Sequence, residues 1–199
     1  MKICVYGAAG SEVPQSMILK TEQLGIALAE RGHSLVFGGG NGGMMGAIAR
    51  GVYKGGGEVI GIAPRFFDGD GVFFPNCKEF IHTNTMRERK ALMEQMSDAF
   101  IVTPGGVGTF DEFFEILTLR SLGQHTKPIA VFNADGYYEP LRALFKNAVD
   151  GRFMKEAVTA LCPFFSDPTA LITHLETDER EFYTLDRIKE VQQGSSEQK

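Results

Sequence analysis

The chain has 199 residues, of which 43% are hydrophobic and 23% are charged, and its formal net charge is -5. This composition is typical of a globular domain and excludes a disordered or fibrous chain. The negative charge offers no global field that would attract nucleic acid or an anionic membrane surface, so any anionic ligand needs local donors. Three widely spaced cysteines, the absence of a signal-peptide pattern and the absence of a long apolar stretch predict a cytoplasmic protein without a membrane partner.

Short apolar segments alternate with amphipathic segments along the chain. The first apolar segment is KICVY, and the helical pattern after it is expected to end near Gly32. The other segments predicted as buried strands are residues 34–37, 58–63, 98–103 and 128–132. The later helices are predicted at residues 44–54, 86–97, 109–122 and 137–149. This alternation predicts an α/β fold, a Rossmann-like doubly wound parallel sheet with helices on both faces. Residues 1–177 are expected to form the single domain, and residues 178–199 a polar extension with a frayed end.

Glycine-rich turns follow three of the predicted strands: GAAGSE at 7–12, GGGNGGMMG at 38–46 and PGGVGT at 104–109. Ligands of open α/β sheets bind at the carboxyl ends of strands, so three such turns at one edge predict a ligand site. Backbone amides at a helix N-terminus would hold a phosphate there, although residues 38–46 could also be simply a flexible loop. Their GxGxxG pattern follows the second strand instead of the first, which disfavours NAD, and no P-loop pattern occurs.

Two charged residues are candidates for chemistry. Arg89 falls on the apolar face of its predicted helix, where it either snorkels to solvent or points into a site. Glu112 completes a T-x-x-E pattern with Thr109, which predicts a capping box with Thr109 as the N-cap, and a catalytic carboxylate is the alternative. Glu115 either pairs with Glu112 on one face or is solvated. The four histidines show no metal-ligand spacing, so neither a metal nor a cofactor is predicted.

Together these motifs resemble the LOG ("lonely guy") family of cytokinin riboside 5′-monophosphate phosphoribohydrolases, many of which were once labelled lysine decarboxylases. The family pattern GGG-x-x-GLMG is similar to residues 38–46, M-x-x-RK to residues 86–90, and PGG-x-GT-x-x-E to residues 104–112. The stretch HTKPIAVFNADGYYEPL is similar to a later strand and helix of the family. Ala8 and Ala9 stand where many members have serines, and Arg87 where histidine is common, which leaves the base preference open.

The resemblance implies a homodimer that hydrolyses the N-glycosidic bond of AMP or an N6-substituted AMP, with Arg89 and Glu112 as the catalytic pair. A carboxylate suits the oxocarbenium-like sugar of such a reaction, and an arginine suits the departing base. The residues expected to contact the phosphate or nucleotide are Gly39, Gly40, Gly43, Met45, Met86, Lys90, Gly105, Gly106, Gly108, Thr109 and Glu115. The alternatives are a non-catalytic nucleotide or molybdenum-cofactor carrier of the same fold, and a nucleosidase for another base.

Overall fold

The computed structural model describes residues 1–69 and 71–179. Within them, one seven-stranded parallel sheet is flanked by helices. The strands are β1 (Lys2–Tyr6), β2 (Ser34–Phe37), β3 (Val59–Pro64), β4 (Glu79–Thr83), β5 (Ala99–Val102), β6 (Ile129–Phe132) and β7 (Phe164–Phe165). The α-helices are α1 (Gln15–Glu30), α2 (Gly43–Lys54), α3 (Met86–Met96), α4 (Val107–Ser121), α5 (Glu139–Asp150), α6 (Glu156–Thr159) and α7 (Pro168–Thr177).

The strand order is β4-β3-β2-β1-β5-β6-β7. Chain order therefore reverses between β1 and β5, and such a reversal opens a crevice at the carboxyl ends of the strands. Strand β1 lies at the centre and pairs with β2 on one side and β5 on the other. The turns after these three strands are the three glycine-rich turns of the sequence, so the topology brings them to one edge.

Hydrophobic cores on both faces of the sheet explain the continuous apolar runs in the sequence. Ile3 and Val5 of β1 face a core that includes residues of α1, α2 and α7. Cys4 and Tyr6 point to the opposite face and pack with residues of α3, α4 and α5. Because successive side chains alternate between faces and both faces are covered, every position from Ile3 to Tyr6 is buried.

The predicted fold class is confirmed, and all five predicted strands are present. The edge strands β4 and β7 were not predicted, because β4 mixes charged and apolar residues and β7 has only two residues. The helices α6 and α7 were likewise not predicted. No helix in the described ranges is long and apolar enough to cross a bilayer. The predicted polar extension lies almost wholly outside the described residues, which end two residues beyond the last residue of α7.

Candidate active site

Three loops meet at the crevice: loop 1 (residues 7–12), loop 2 (residues 38–42) and loop 3 (residues 103–106). The backbone of Ala8 contacts loop 3 and the start of α2 through both of its polar groups. Its N–H donates to the Pro104 carbonyl at 3.1 Å, and its carbonyl accepts from the Met45 N–H at 3.1 Å. Ala8 therefore acts through its backbone, and this role does not require the hydroxyl that many family members carry there.

Several of the glycines are needed for loop-to-loop packing. A Cβ at Gly43 would lie 2.5 Å from the carbonyl oxygens of Ala8 and Gly10, and Gly43 also has a φ of 52°. A Cβ at Gly105 would lie 3.0 Å from the Ala8 nitrogen and 2.1 Å from the Thr109 hydroxyl oxygen. Many of the glycines in these loops are therefore explained by the close approach of the three loops to one another.

The N-termini of α2 and α4 differ in accessibility. At α2, the Ala8 carbonyl already accepts from the Met45 amide. At α4, residues 106–108 are exposed, and a Cβ at Gly106 or Gly108 would meet no heavy atom within 4 Å. The first amides of a helix have no intrahelical acceptor, and the helix dipole favours an anion beside them. The accessible helix N-terminus is therefore that of α4, with the buried Thr109 in its first turn, and it is the better candidate for an anion site.

The predicted capping box at Thr109 is wrong. Helix α4 begins at Val107 with Gly106 as its N-cap, so Thr109 is already inside the helix and Glu112 lies in the second turn. A T-x-x-E cap does form, but at α3, where Thr85 accepts from the Glu88 amide at 3.1 Å. Helix α4 thus begins two residues before the predicted residue 109, and the local T-x-x-E pattern does not show where it begins. Glu112 is consequently available for another partner.

That partner is Arg89. Nη2 of Arg89 donates to Oε1 of Glu112, although the two residues are 23 positions apart in the chain. Each residue is 7% exposed, so Arg89 is buried and does not snorkel. Gly38 makes room for the guanidinium, because a Cβ there would lie 2.9 Å from Nη2. Met86 contacts the other side of the guanidinium, with its sulfur 3.6 Å from Nη1.

Arg89 also carries a donor without a protein acceptor. Its Nε is buried and makes no hydrogen bond within the part of the chain that the structure describes. An unsatisfied buried donor is costly unless a ligand or water accepts from it. The guanidinium is therefore paired with Glu112 on one side and retains an N–H group for another acceptor.

Burial raises the pKa of Glu112 to about 7, even though the positive charge of Arg89 opposes the shift. Asp111 and Glu115 raise this pKa further, and Lys90 lowers it. Beneath the pair, burial raises the pKa of Tyr6 well above its ordinary value. Near neutral pH, Glu112 can therefore exist as the acid or as the carboxylate while Tyr6 stays neutral. A carboxyl group with this property can serve in proton transfer.

Lys90 and Glu115, both predicted to contact the nucleotide, pair with each other. Lys90 also forms an ion pair with Asp111, so it links α3 to α4. Burial alone would lower the pKa of Lys90, but the two carboxylates outweigh it and raise that pKa. The ion pairs fix the two helices that carry Arg89 and Glu112. A nucleotide contact by Lys90 or Glu115 stays a prediction.

Gly39 and Gly40 pair in an antiparallel β-bridge with residues 72–74, a segment that was not predicted to reach the site. The Phe74 amide donates to the Gly39 carbonyl at 2.9 Å, and the Asn41 amide donates to the Val72 carbonyl at 2.9 Å. Met45 lies over the loop, with its methyl carbon 3.0 Å from where a Cβ of Gly40 would be. The described residues contain no group of three acidic, histidine or cysteine side chains that could hold a metal ion.

The fold and the site define a Rossmann-like α/β protein with an open helix N-terminus beside a buried arginine–carboxylate pair. A family model described as "Possible lysine decarboxylase" matches residues 45–175. A cytokinin riboside 5′-monophosphate phosphoribohydrolase of Arabidopsis thaliana is 37% identical over 175 residues, covering 88% of this chain and 82% of the relative. A protein of the same name from Oryza sativa subsp. japonica is 38% identical over 177 residues, covering 88% of this chain and 72% of the relative. The chain belongs to the LOG family.

Two solved structures share the fold. The molybdenum cofactor binding protein of Rippkaea orientalis superposes with a TM-score of 0.69 at 24% identity, covering 88% of this chain and 95% of the other. The molybdenum cofactor carrier protein of Chlamydomonas reinhardtii also gives a TM-score of 0.69, at 20% identity, with coverages of 90% and 98%. At these identities the likeness shows the fold alone.

The space beside Gly38 can be tested by Gly38→Ala. The added methyl should push the guanidinium of Arg89 away from Glu112 and lower the free energy of unfolding by about 1–3 kcal/mol, the usual cost of overpacking. The matched control is Gly10→Ala in loop 1, where a Cβ meets no heavy atom within 4 Å. Unfolding in urea at pH 8 measures both. The decrease in the free energy of unfolding caused by Gly38→Ala should be smaller when Glu112→Gln is already present. If the effects of the two substitutions are additive in a double-mutant cycle, Gly38 does not act on the Arg89–Glu112 pair.

Proposed function

We propose that this site hydrolyses the N-glycosidic bond of AMP or an N6-substituted AMP and releases the free base and ribose 5-phosphate. The observation that carries the proposal is the buried pair of Arg89 and Glu112 beside the open N-terminus of α4. Family membership supports it, because relatives at 37% and 38% identity are named as phosphoribohydrolases of cytokinin riboside 5′-monophosphate.

The 5′-phosphate binds at the N-terminus of α4. The amides of residues 106–108 and the hydroxyl of Thr109 supply its donors, and the helix dipole supplies a positive field that a chain of net charge -5 otherwise lacks. Binding energy from the phosphate, which does not react, then holds the sugar in place for the chemical step.

Glu112 is suited to act at C1′ of the bound sugar. It follows Gly108 by four residues, which is about 6 Å along the helix axis at 1.5 Å per residue. Helix side chains lean toward the N-terminus, so the carboxylate points toward the phosphate end, where the ribose lies. This spacing suits a ribose whose phosphate is held at the helix terminus and whose C1′ is one sugar ring away.

The reaction breaks the bond between C1′ and the base nitrogen, and the bonding electrons leave with the base. Glu112 as carboxylate stabilises the oxocarbenium-like sugar and accepts a proton from the water that attacks C1′. Arg89 donates to the departing base or the ribose with the N–H groups that Glu112 does not use. Transfer of this proton from Glu112 to the base completes the hydrolysis. The side chains of Glu112 and Arg89 carry out these steps.

The second candidate is a non-catalytic carrier of a nucleotide or of molybdenum cofactor. It is favoured by the fold shared with proteins named as binding or carrying molybdenum cofactor. A carrier needs the anion site, but it does not need a buried carboxyl group that titrates near pH 7. A nucleosidase for another base would use the same two residues and differ only in the contacts to the base.

We predict that the purified protein releases adenine from AMP in the presence of EDTA, and that adenosine is a much poorer substrate. Each charge-assisted hydrogen bond to phosphate contributes about 1.5–3 kcal/mol, so kcat/KM for adenosine should be lower by at least about 10-fold. Chromatographic assay of free base measures both rates. Binding of AMP without turnover would support the carrier instead, and equal kcat/KM values would exclude a phosphate site.

Replacement of the carboxylate tests the chemical role. Glu112→Gln should lower kcat by about 10²–10⁴-fold, the usual worth of a positioned acid–base group, whereas the control Glu30→Gln, at an exposed position of α1, should leave kcat unchanged. In the wild type, kcat/KM should rise with pH through about 7 as Glu112 ionises. A flat pH profile, or a Glu112→Gln variant with wild-type turnover, would exclude this role.

The same pKa predicts a change in stability with pH. The folded-state pKa of Glu112 is raised from 4.5 to about 7, so folding favours its protonated form. This contribution is fully present below pH 4.5 and is lost as pH rises through 7. The free energy of unfolding of wild type relative to Glu112→Gln should therefore fall by up to about 3 kcal/mol between pH 4.5 and pH 8. Denaturant unfolding at several pH values measures the trend, and a constant difference would contradict the pKa shift.

We also propose a homodimer formed through the outer face of α4. A surface depression of about 350 Å³ lies there, lined by Asp111, Phe114, Glu115, Thr118 and Leu119. Phe114 is 38% exposed, and Leu122 at the end of the helix is 48% exposed. Light scattering should give about twice the chain mass of 21.8 kDa for wild type and the chain mass for Phe114→Glu. The control Leu144→Glu changes an exposed leucine on α5 and should leave the mass unchanged.

A further inference from the structure

The carbonyl of Gly105, immediately before the open N-terminus of α4, is held by a side chain from another part of the chain. The hydroxyl of Tyr137 donates to this carbonyl at 2.7 Å. The neighbouring Tyr138 donates to the Thr103 carbonyl at 2.8 Å. Both tyrosines belong to the segment between β6 and α5, which we call the brace (residues 133–138). The brace thus contacts loop 3 at two carbonyls, those of Thr103 and Gly105.

The brace is held to β7 and to α1, and its Asn133 amide donates to the Phe165 carbonyl of β7 at 2.7 Å. Within it, Oδ1 of Asn133 accepts from the Tyr138 amide at 2.7 Å. Asp135 accepts from the Ser16 hydroxyl at 3.1 Å and forms an ion pair with Lys20, which ties the brace to α1. Tyr137 therefore projects from a segment that is anchored to the sheet and to a helix, and its hydroxyl is held against loop 3.

The hydrogen bond from Tyr137 to the Gly105 carbonyl also sets the direction of the Gly106 N–H, because the peptide group is planar. In a trans peptide the C=O and the following N–H lie in one plane and point in opposite directions. A Gly105 carbonyl held toward Tyr137 therefore directs the Gly106 N–H away from Tyr137. The Gly105 side of this peptide is packed, since a Cβ there would lie 3.0 Å from the Ala8 nitrogen, whereas a Cβ at Gly106 would meet no heavy atom within 4 Å. Glycine populates most of φ/ψ space, so the hydrogen bond from Tyr137 contributes to fixing the direction of the peptide. A reversed peptide would turn a carbonyl oxygen toward the anion site.

We propose that Tyr137 is a positioning residue for the phosphate subsite. Its hydroxyl fixes the Gly105–Gly106 peptide so that the Gly106 N–H faces the 5′-phosphate. This inference rests on the proposed function for the identity of the phosphate, but its mechanism concerns only the direction of one peptide. Tyr137 acts through Gly106 and has no part in breaking the glycosidic bond.

The variant Tyr137→Phe removes the hydroxyl and keeps the ring, and Tyr53→Phe on α2 is the matched control at another exposed tyrosine. Titration calorimetry with ribose 5-phosphate should give an affinity about 3–10-fold weaker for Tyr137→Phe and unchanged for Tyr53→Phe, the worth of one hydrogen bond. The kcat/KM for AMP should fall by a similar factor and that for adenosine should not. Equal losses for AMP and adenosine, or no loss of ribose 5-phosphate affinity, would overturn the proposal.

A measurement without ligand separates positioning from direct contact with phosphate. In Tyr137→Phe the Gly106 amide should show a shifted or exchange-broadened NMR signal, because its peptide can then reverse. An unchanged Gly106 signal together with weaker phosphate binding would mean that Tyr137 touches the phosphate itself, and the positioning role would be wrong. If wild type binds ribose 5-phosphate but does not cleave AMP, the hydrolase proposal fails while these two measurements still decide the role of Tyr137.

Discussion

The buried pair of Arg89 and Glu112 is the interaction on which the site depends. Two ionised groups in a protein interior cost several kcal/mol each in lost hydration, and their mutual attraction offsets this only when the geometry is good. The fold supplies that geometry from three elements: α3 carries Arg89, α4 carries Glu112, and the absence of a side chain at Gly38 leaves room for the guanidinium. Burial nevertheless raises the pKa of Glu112 to about 7, so the lost hydration of the carboxylate outweighs the attraction of Arg89.

The glycine-rich loops divide into two physical roles. In loops 1 and 2 they allow backbones to touch, and the Ala8 carbonyl takes up an amide at the start of α2. At α4 they leave the helix terminus open, with exposed residues at 106–108. Of these two glycine-rich helix starts within the described residues, the one at α4 is accessible and the one at α2 is already contacted by loop 1. The same distinction explains why alanines at positions 8 and 9 preserve the crevice, since the contacts of Ala8 are made by its backbone.

The fold alone does not separate a hydrolase from a carrier, because proteins named as molybdenum cofactor carriers share it with a TM-score of 0.69. What distinguishes the two is the combination of an anion site with a buried carboxyl group that titrates near neutral pH. An anion site needs only amides and a helix dipole. Burial of the Glu112 carboxylate lowers the stability of the fold, which favours a chemical role for this group. Glycosidic cleavage through an oxocarbenium-like state is such a role.

The sequence by itself determined the five central strands, the helices between them, the sheet edge where the three glycine-rich turns meet, and the two charged candidates. These follow from hydrophobic periodicity and from glycine, which are local properties. Tertiary structure decided which loop backbones meet at the crevice, because the contact of Ala8 with Pro104 lies outside any local window. It also decided that Arg89 and Glu112 meet across 23 residues, and that Tyr137 reaches Gly105 across 32 residues. Such contacts depend on strand order, which places distant segments side by side and cannot be obtained from the pattern of any one segment.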